Sequence, residues 1–509
     1  MSKSGKSKKI AKNTVALYIR MFVTMVITLF TSRIVLKELG VADYGLYNVV
    51  GGVVTLFAFL RSSMASSTQR FLSFEMGKGN FENLRNIFSI CFSSHILIAV
   101  VLLFLAETIG LWFLNSQINI PDSRLEAANY IYQFSVLALC TSVISIPYTA
   151  DIISNEKMGY FAFLGILDAV FKLVIAYMII ISPFDKLVFY GFLMFLVTFI
   201  NLILNWIYCH HNFAETHYRF YWDKESFKRV FRFSGWTIWG QLAIVGSNQG
   251  SNILVNIFFS VTANAAMGVG HQVNNAITGL ISNFQTAFKP QITKSYAEQD
   301  FEYLNVLTKY AAKISFFLLF FVSLPIVANI DFILDVWLDK VPKYANDLCI
   351  IFIFASLCNA MSAPLYMNVF ATGNIRTYQI VMSFAYLIEL IIVYLLFKIG
   401  LSLIVGVSMK VLLNFFVIFI RLYYARKTNQ NFNTSAFLQK AMYPLMSIAI
   451  IFFFFAYYLS ELQMGIVWQL SITVIIEIVA ILFCYYVGLS SSEKQLVKKV
   501  SLKKIIHRK

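Results

Sequence analysis

Four side chains pose the chemical question: Arg20, Arg33, Arg61 and His271. Each lies within or at the end of a long apolar run, and the four runs concerned (14–36, 45–65, 232–259 and 264–287) contain no aspartate or glutamate. A cation site would need carboxylates. Arginine instead offers a planar fork of donors that matches a phosphate bidentately. The same runs supply amides at Asn248, Asn252 and Asn275, which can line a hydrated cavity and hydrogen-bond what enters it. The candidate binding set is therefore Arg20, Arg33, Arg61, Asn248, Asn252, His271 and Asn275, and it suits an anion. Nothing in it has the pattern of a catalytic nucleophile or a metal centre.

Helices must position these groups, because the polar residues recur at helical spacing. Asn13, Arg20, Thr24, Thr28 and Thr31 share one face of the first run; Asn48, Thr55, Ser62 and Ser66 share one face of the second. In 232–259 the stripe is Ser234, Gln241, Asn248 and Asn252, and in 264–287 it is His271, Asn275, Thr278, Ser282 and Gln285. Polar groups are costly in hydrocarbon, so whole stripes point inward, either to hydrogen bonds between helices or to a hydrated cavity. Stripes on four helices favour the cavity. Arg20 lies about 9 Å into its span at 1.5 Å per residue, a depth from which it could snorkel to the interface as an anchor. The face it shares with the deeper Thr24, Thr28 and Thr31 favours a ligand role instead.

The chain has 509 residues, 59% hydrophobic and only 13% charged, half the charge of an ordinary soluble domain. It reads as an all-α polytopic membrane protein with fourteen spans: 14–36, 45–65, 86–109, 127–153, 160–182, 187–209, 232–259, 264–287, 310–330, 347–371, 378–398, 401–425, 442–459 and 466–487. The net charge of +16 reflects topology rather than nucleic-acid binding. With the N-terminus inside, the outer loops hold only Lys37, Arg124, Lys186, Lys340, Lys343 and Lys398, and most other basic residues fall inside. Both termini are expected in the cytoplasm, with the basic tail from Ser490 on the anionic leaflet. The long inner connections 210–231 and 288–309, aromatic and basic, read as surface helices. His210, His211 and His217 suit solvated loop positions better than zinc. The six cysteines lie in or at the ends of apolar runs without CxxC spacing.

FENL at Phe81 reappears as FEYL at Phe301, and Pro147 in PYTADIISNEKMGY has a counterpart in Pro364 of PLYMNVFATGNIRTY. Six helices separate the equivalents, which preserves direction and indicates a parallel repeat. The expected organisation is a six-helix bundle over 1–209, an interfacial linker over 210–231, a second six-helix bundle over 232–425, an added helix pair over 426–487 and a basic tail over 488–509. Two bundles around a central cavity are a transporter arrangement. Of the remaining embedded charges, Asp168 and Lys172 form an i, i+4 pair, Glu389 and Lys410 are expected to pair across helices, and Glu477 has no visible partner.

SRIVLKELGVADYGLYNVV, GVGHQVNNAITGLISNFQTAFKPQITKSYA and PYTADIISNEKMGY resemble the polysaccharide (O-antigen type) flippase branch of the MOP exporter superfamily, over essentially the whole chain. The fourteen spans are similar to those of lipid II flippase relatives. The resemblance implies alternating access by two lobes, and export of undecaprenyl-diphosphate-linked oligosaccharides across the plasma (inner) membrane for O-antigen, capsule, exopolysaccharide or lipopolysaccharide assembly. It further implies membrane lipids and polysaccharide polymerase machinery as partners, and no cofactor, with H+ or Na+ as coupling ions. A MATE-type cation/drug antiporter is the alternative, weakened because that branch's first-helix acidic residue is absent and the helix carries Arg20 instead. A lipid-linked-sugar enzyme is weaker still, since the loop holding Glu38 and Asp43 is too short to build an active site. No GxxxxGK[ST] sequence indicates ATP binding.

Overall fold

The apolar runs become helices because hydrocarbon offers backbone groups no partner, and a helix satisfies them within the segment. The structure is a computed structural model that describes residues 3–55, 58–118, 120–338, 340–462, 464–490 and 493–494, apart from the side chains of 3–8, 41 and 52–59. In chain order the helices are α1 (Lys3–Thr55), α2 (Ala58–Lys78), α3 (Phe81–Leu105), α4 (Leu111–Gln117), α5 (Leu125–Ser154), α6 (Met158–Ile180), α7 (Lys186–Asn212), α8 (Lys224–Phe258) and α9 (Val261–Ala297). They continue as α10 (Phe301–Ala328), α11 (Ile330–Trp337), α12 (Ala345–Ala371), α13 (Arg376–Lys398), α14 (Leu403–Thr428), α15 (Thr434–Phe437), α16 (Tyr443–Glu461) and α17 (Ile466–Phe483). No strand occurs among the described residues.

Eleven of the described helical segments are long and apolar enough to cross a membrane. The three wet spans expected at 45–65, 232–259 and 264–287 fall on the second half of α1 with α2, on α8 and on α9. α1 is two helices end to end, broken at Gly40 by a non-helical backbone (φ 74°, ψ 168°). The protein is an all-α polytopic membrane protein.

The connections 210–231 and 288–309 are not separate surface helices. The first is the end of α7, a 3₁₀ turn at Ala214–Thr216, an extended stretch and the first turns of α8. Asp223 stops the extended stretch by accepting from the backbone N–H of Ser226 at 2.9 Å. The second is α9 running on to Ala297, then a turn, then α10. Side-chain caps at Asp223 and Asp300 start the next helix too early for an independent one to form.

Two compact units are present. The first comprises 1–242, 286–299 and 373–379, the second 243–285, 300–372 and 380–509. In the first unit a core around Ala128, Ile131, Tyr132, Ile179 and Leu187 holds the span bundle together. One end is tied by Lys186 donating to Glu38 at 2.9 Å and by Arg124 donating to both Asp43 and Asp185. The opposite end is tied by Glu156, almost fully buried, which accepts from Gln291 at 2.7 Å and pairs with Lys294 at 3.0 Å and Lys9 at 3.1 Å. Loops expected on one side of the membrane thus meet at one end, and those expected on the other side meet at the other.

The second unit has a larger aromatic core, in which Phe320 meets Phe453 edge-on at 5.5 Å. Lys313, buried in α10, donates to the Gly488 carbonyl and to Glu493, both at 2.9 Å. Residues 495–509 of the expected basic tail lie outside the described residues.

The repeat appears in the backbone. Asn80 accepts from the N–H of Asn83 at 3.0 Å to begin α3, and Asp300 accepts from Tyr303 at 3.0 Å to begin α10. The residue before each cap has a left-handed φ, 70° at Gly79 and 59° at Gln299. Glu156 (φ 59°) and Gly373 (φ 78°) form a second such couple, each just after the helix carrying Pro147 or Pro364.

Candidate functional site

The expected binding residues divide between the two units: Arg20, Arg33 and Arg61 in the first, Asn248, Asn252, His271 and Asn275 in the second.

In the first unit α6 is the platform. Arg20 lays its stem across Gly165, whose missing Cβ would come within 2.6 Å of the arginine Cδ. Glycine is needed for this close approach. The guanidinium turns back one helical step and lies 4.5 Å over the Phe161 ring, a cation–π contact. Helix geometry causes the turn, since side chains lean toward the N-terminus of their own helix. Arg20 is thus half-buried and held between α1 and α6.

Arg61 on α2 is exposed and within electrostatic reach of Asp168 on α6. Asp168 pairs with Lys172 at 2.7 Å and accepts from Asn201 of α7 at 2.9 Å, so the expected i, i+4 pair forms. Arg33 is exposed near the end of its span, away from this cluster in sequence and helix position. The threonine stripe of α1 largely satisfies itself: Thr24 donates to the Met21 carbonyl at 3.1 Å and Thr31 to that of Ile27 at 2.8 Å. Such back-bonded hydroxyls need neither water nor a neighbouring helix. The side chain of Thr55 lies outside the described residues.

In the second unit the polar side chains of α8, α9, α13 and α14 gather. Glu389, almost fully buried, accepts from Ser247 Oγ at 2.7 Å. The expected Glu389–Lys410 ion pair is not formed: Lys410 Nζ is buried without a hydrogen-bond partner and lies 5.5 Å over the Phe352 ring. The reason is competition, because Ser247 on α8 already occupies the carboxylate and Phe352 offers the ammonium its face. His271 stacks on the same Phe352 ring at 4.6 Å between centroids, with its Nε2 unpaired. Asn274, next to the expected stripe, accepts from Ser356 at 2.6 Å. Asn248 and Asn252 are half-buried and Asn275 is exposed; Asn252 takes Gln249 as its partner at 3.3 Å. Glu477 Oε2 has no partner, as its isolation in sequence suggests.

Glu156 and Arg421 are among the buried charges that local sequence patterns do not reveal. Glu156 lies in a quoted motif, but its partners come from α1 and the end of α9. Arg421 bonds Asn359 at 2.9 Å and Ser362 at 2.7 Å, a cluster no local spacing reveals. His210 and His217 approach to 4.1 Å between ring centroids, and no group of three or more His, Cys, Asp or Glu side chains suited to a metal occurs among the described residues.

The model of the family described as polysaccharide biosynthesis protein matches residues 10–296, more than half of the chain. The chain belongs to that family. The MatE family model matches residues 226–395. Among solved structures the protein is similar to a MATE transporter in complex with MaD3S (15% identity, TM-score 0.69, covering 85% of this chain and 97% of that one). It is also similar to a Pyrococcus furiosus MOP superfamily transporter described as having a binding pocket of reverse polarity (15%, 0.69, 85% and 96%). A variant of a Vibrio cholerae MATE transporter gives 17%, 0.68, 85% and 98%. No curated protein matches the chain. The protein is a transporter of the MOP superfamily, and these relatives are transporters rather than enzymes.

Proposed function

We propose that this transporter is a flippase for undecaprenyl-diphosphate-linked oligosaccharides, precursors of O-antigen, capsule or exopolysaccharide, working by alternating access in the plasma (inner) membrane. The polysaccharide biosynthesis family match over 10–296 carries this reading. The cationic character of the first unit's wet helices supports it: Arg20, Arg33 and Arg61 stand on them without a carboxylate on the same helical runs. An approaching diphosphate is a dianion whose desolvation forked guanidinium contacts can offset. Asn248, Asn252, His271 and Asn275 are proposed as contacts to the glycan. Coupling to H+ or Na+ is left to the second unit's charges, and polymerase machinery is the expected partner on the far side.

The test is disruption of the gene in its host, followed by analysis of lipid-linked sugars. Accumulation of a diphospholipid oligosaccharide on the cytoplasmic leaflet supports the proposal. The MatE match over 226–395 supplies the second reading, a cation/drug antiporter. Unchanged glycolipids together with altered resistance to cationic drugs would establish it instead. Reporter fusions after Lys224 and Lys427 should be cytoplasmic and those at Lys340 and Glu461 external, and the reverse pattern would sink the topology.

A further inference from the structure

A second cationic feature lies in the first unit, on the side of Glu156 and Lys294 rather than among the membrane-depth arginines. It is a cup of about 640 Å³ between the start of α8 and the start of α13. Lys228, Arg229, Arg232 and Trp236 line it from α8, at the i, i+1, i+4, i+8 spacing of one broad helix face. The other wall is Gly373, Asn374, Ile375 and Arg376, the turn that opens α13. A helix of 23 residues begins there, and its first turn adds the partial positive charge and free N–H direction of a helix N-terminus. Arg376 is braced over the Trp236 ring at 5.6 Å. Glu225 is the single acid in the lining.

A further cation stands behind this wall, against the lining residues Gly373 and Phe233. Arg70 is 4% exposed, packed over Phe74 at 4.4 Å and Phe71 at 4.8 Å. Its guanidinium fills the space where a Cβ of residue 373 would stand, 2.7 Å away, so only glycine fits there. Burial chiefly, and then the charge of Arg229, lower Arg70 to about 10 against the opposing pull of Glu75. Cations thus approach one another here instead of spreading apart. Positive-inside topology explains scattered basic residues on a cytoplasmic surface. It does not explain four of them converging with a helix N-terminus on one concavity, with a fifth buried behind its wall.

We infer that this cup binds a phosphate-bearing anion at the cytoplasmic face. The geometry suits a phosphodiester or diphosphate of lipid-headgroup size, held between the Arg232 and Arg376 forks and the start of α13. Two sources share that chemistry, the headgroup of an anionic bilayer lipid and a soluble polyphosphate. The inference goes beyond the export proposal, and its test needs no transport substrate.

The experiment uses the purified full chain. Binding of inorganic pyrophosphate is measured by calorimetry in neutral detergent. Protein melting is compared in nanodiscs of phosphatidylcholine with and without phosphatidylglycerol. Arg232→Gln/Arg376→Gln should weaken the apparent affinity by about tenfold or more, because both guanidinium forks are lost. A milder pair, Lys228→Gln/Arg229→Gln, should weaken it less and guards against misfolding of the first. The control is Arg426→Gln/Lys427→Gln, which removes two exposed basic residues outside the cup and should leave binding unchanged. Response to phosphatidylglycerol alone assigns the lipid source, and response to pyrophosphate alone the soluble one. No response in the unsubstituted protein, or equal losses in cup and control variants, overturns the inference.

Discussion

Each unit embeds an acid and a lysine among its spans, and the two do opposite things with them. Asp168 and Lys172 are one turn apart on α6 and close at 2.7 Å, with about a third to two-fifths of each side chain exposed. Glu389 and Lys410 are on different helices; the carboxylate is held by Ser247, and the ammonium has only the Phe352 ring. A pair that closes within a single helix is neutral before tertiary structure forms. A pair split between helices depends on what else packs nearby, and here a serine and an aromatic ring win. The first arrangement is a structural salt link. The second leaves two groups able to change partners, a property a moving transporter can use.

The largest effect tests that difference directly. Glu389→Gln removes the negative charge that Lys410 feels, leaving a buried ammonium without compensation. It should cost about 3 kcal/mol in detergent melting, and Glu389→Gln/Lys410→Met should recover most of it. A cost no larger than that of Asp168→Asn would break the contrast.

Glu156→Gln comes next. Burial raises the Glu156 carboxyl, but Lys294, then Lys9 and Gln291, outweigh it and hold it below the usual glutamate range. A depressed folded value means its stabilisation is present above the ordinary value and is lost as pH falls through the folded one. The unsubstituted protein should therefore lose stability on acidification below about pH 4.5. Glu156→Gln should be less stable by about 2 kcal/mol at neutral pH and should show a flatter profile. An unchanged profile would show the cluster to be inert.

Asp168→Asn should cost only about 0.5–1 kcal/mol, because Lys172 is partly exposed and Asn201 can still bond the amide. The smallest effect lies in the repeat. Gln299 holds the left-handed φ that Gly79 holds in the other half, so Gln299→Gly should be neutral or stabilising by up to about 1 kcal/mol. Gly373→Ala, at the other such couple, should destabilise, since its Cβ would meet Arg70. If both substitutions behave alike, the two halves do not use equivalent turns.

Much of this was legible in the chain. The apolar runs predict the helices, since in hydrocarbon a run of that length has no other way to bond its backbone. Local spacing also predicts the Asp168–Lys172 pair, because helical periodicity alone brings i and i+4 together. FENL and FEYL predict the repeat, and Asn80 and Asp300, one residue upstream of each, prove to be its caps. The surface helices expected at 210–231 and 288–309 failed because composition reports an interfacial environment but not where a cap begins the next helix.

Sequence by itself determined what is local: helices, spans, the basic asymmetry of the loops, and pairs one turn apart. Tertiary structure decided every contact whose partners are far apart in the chain. Lys9 and Lys294 on Glu156, Ser247 on Glu389, Phe161 and Gly165 under Arg20, and Arg70 against Gly373 are all of that kind. A buried charge takes whichever partner lies within a few ångströms after packing. That choice is a competition among side chains brought together by helix docking, and no spacing along one helix records it.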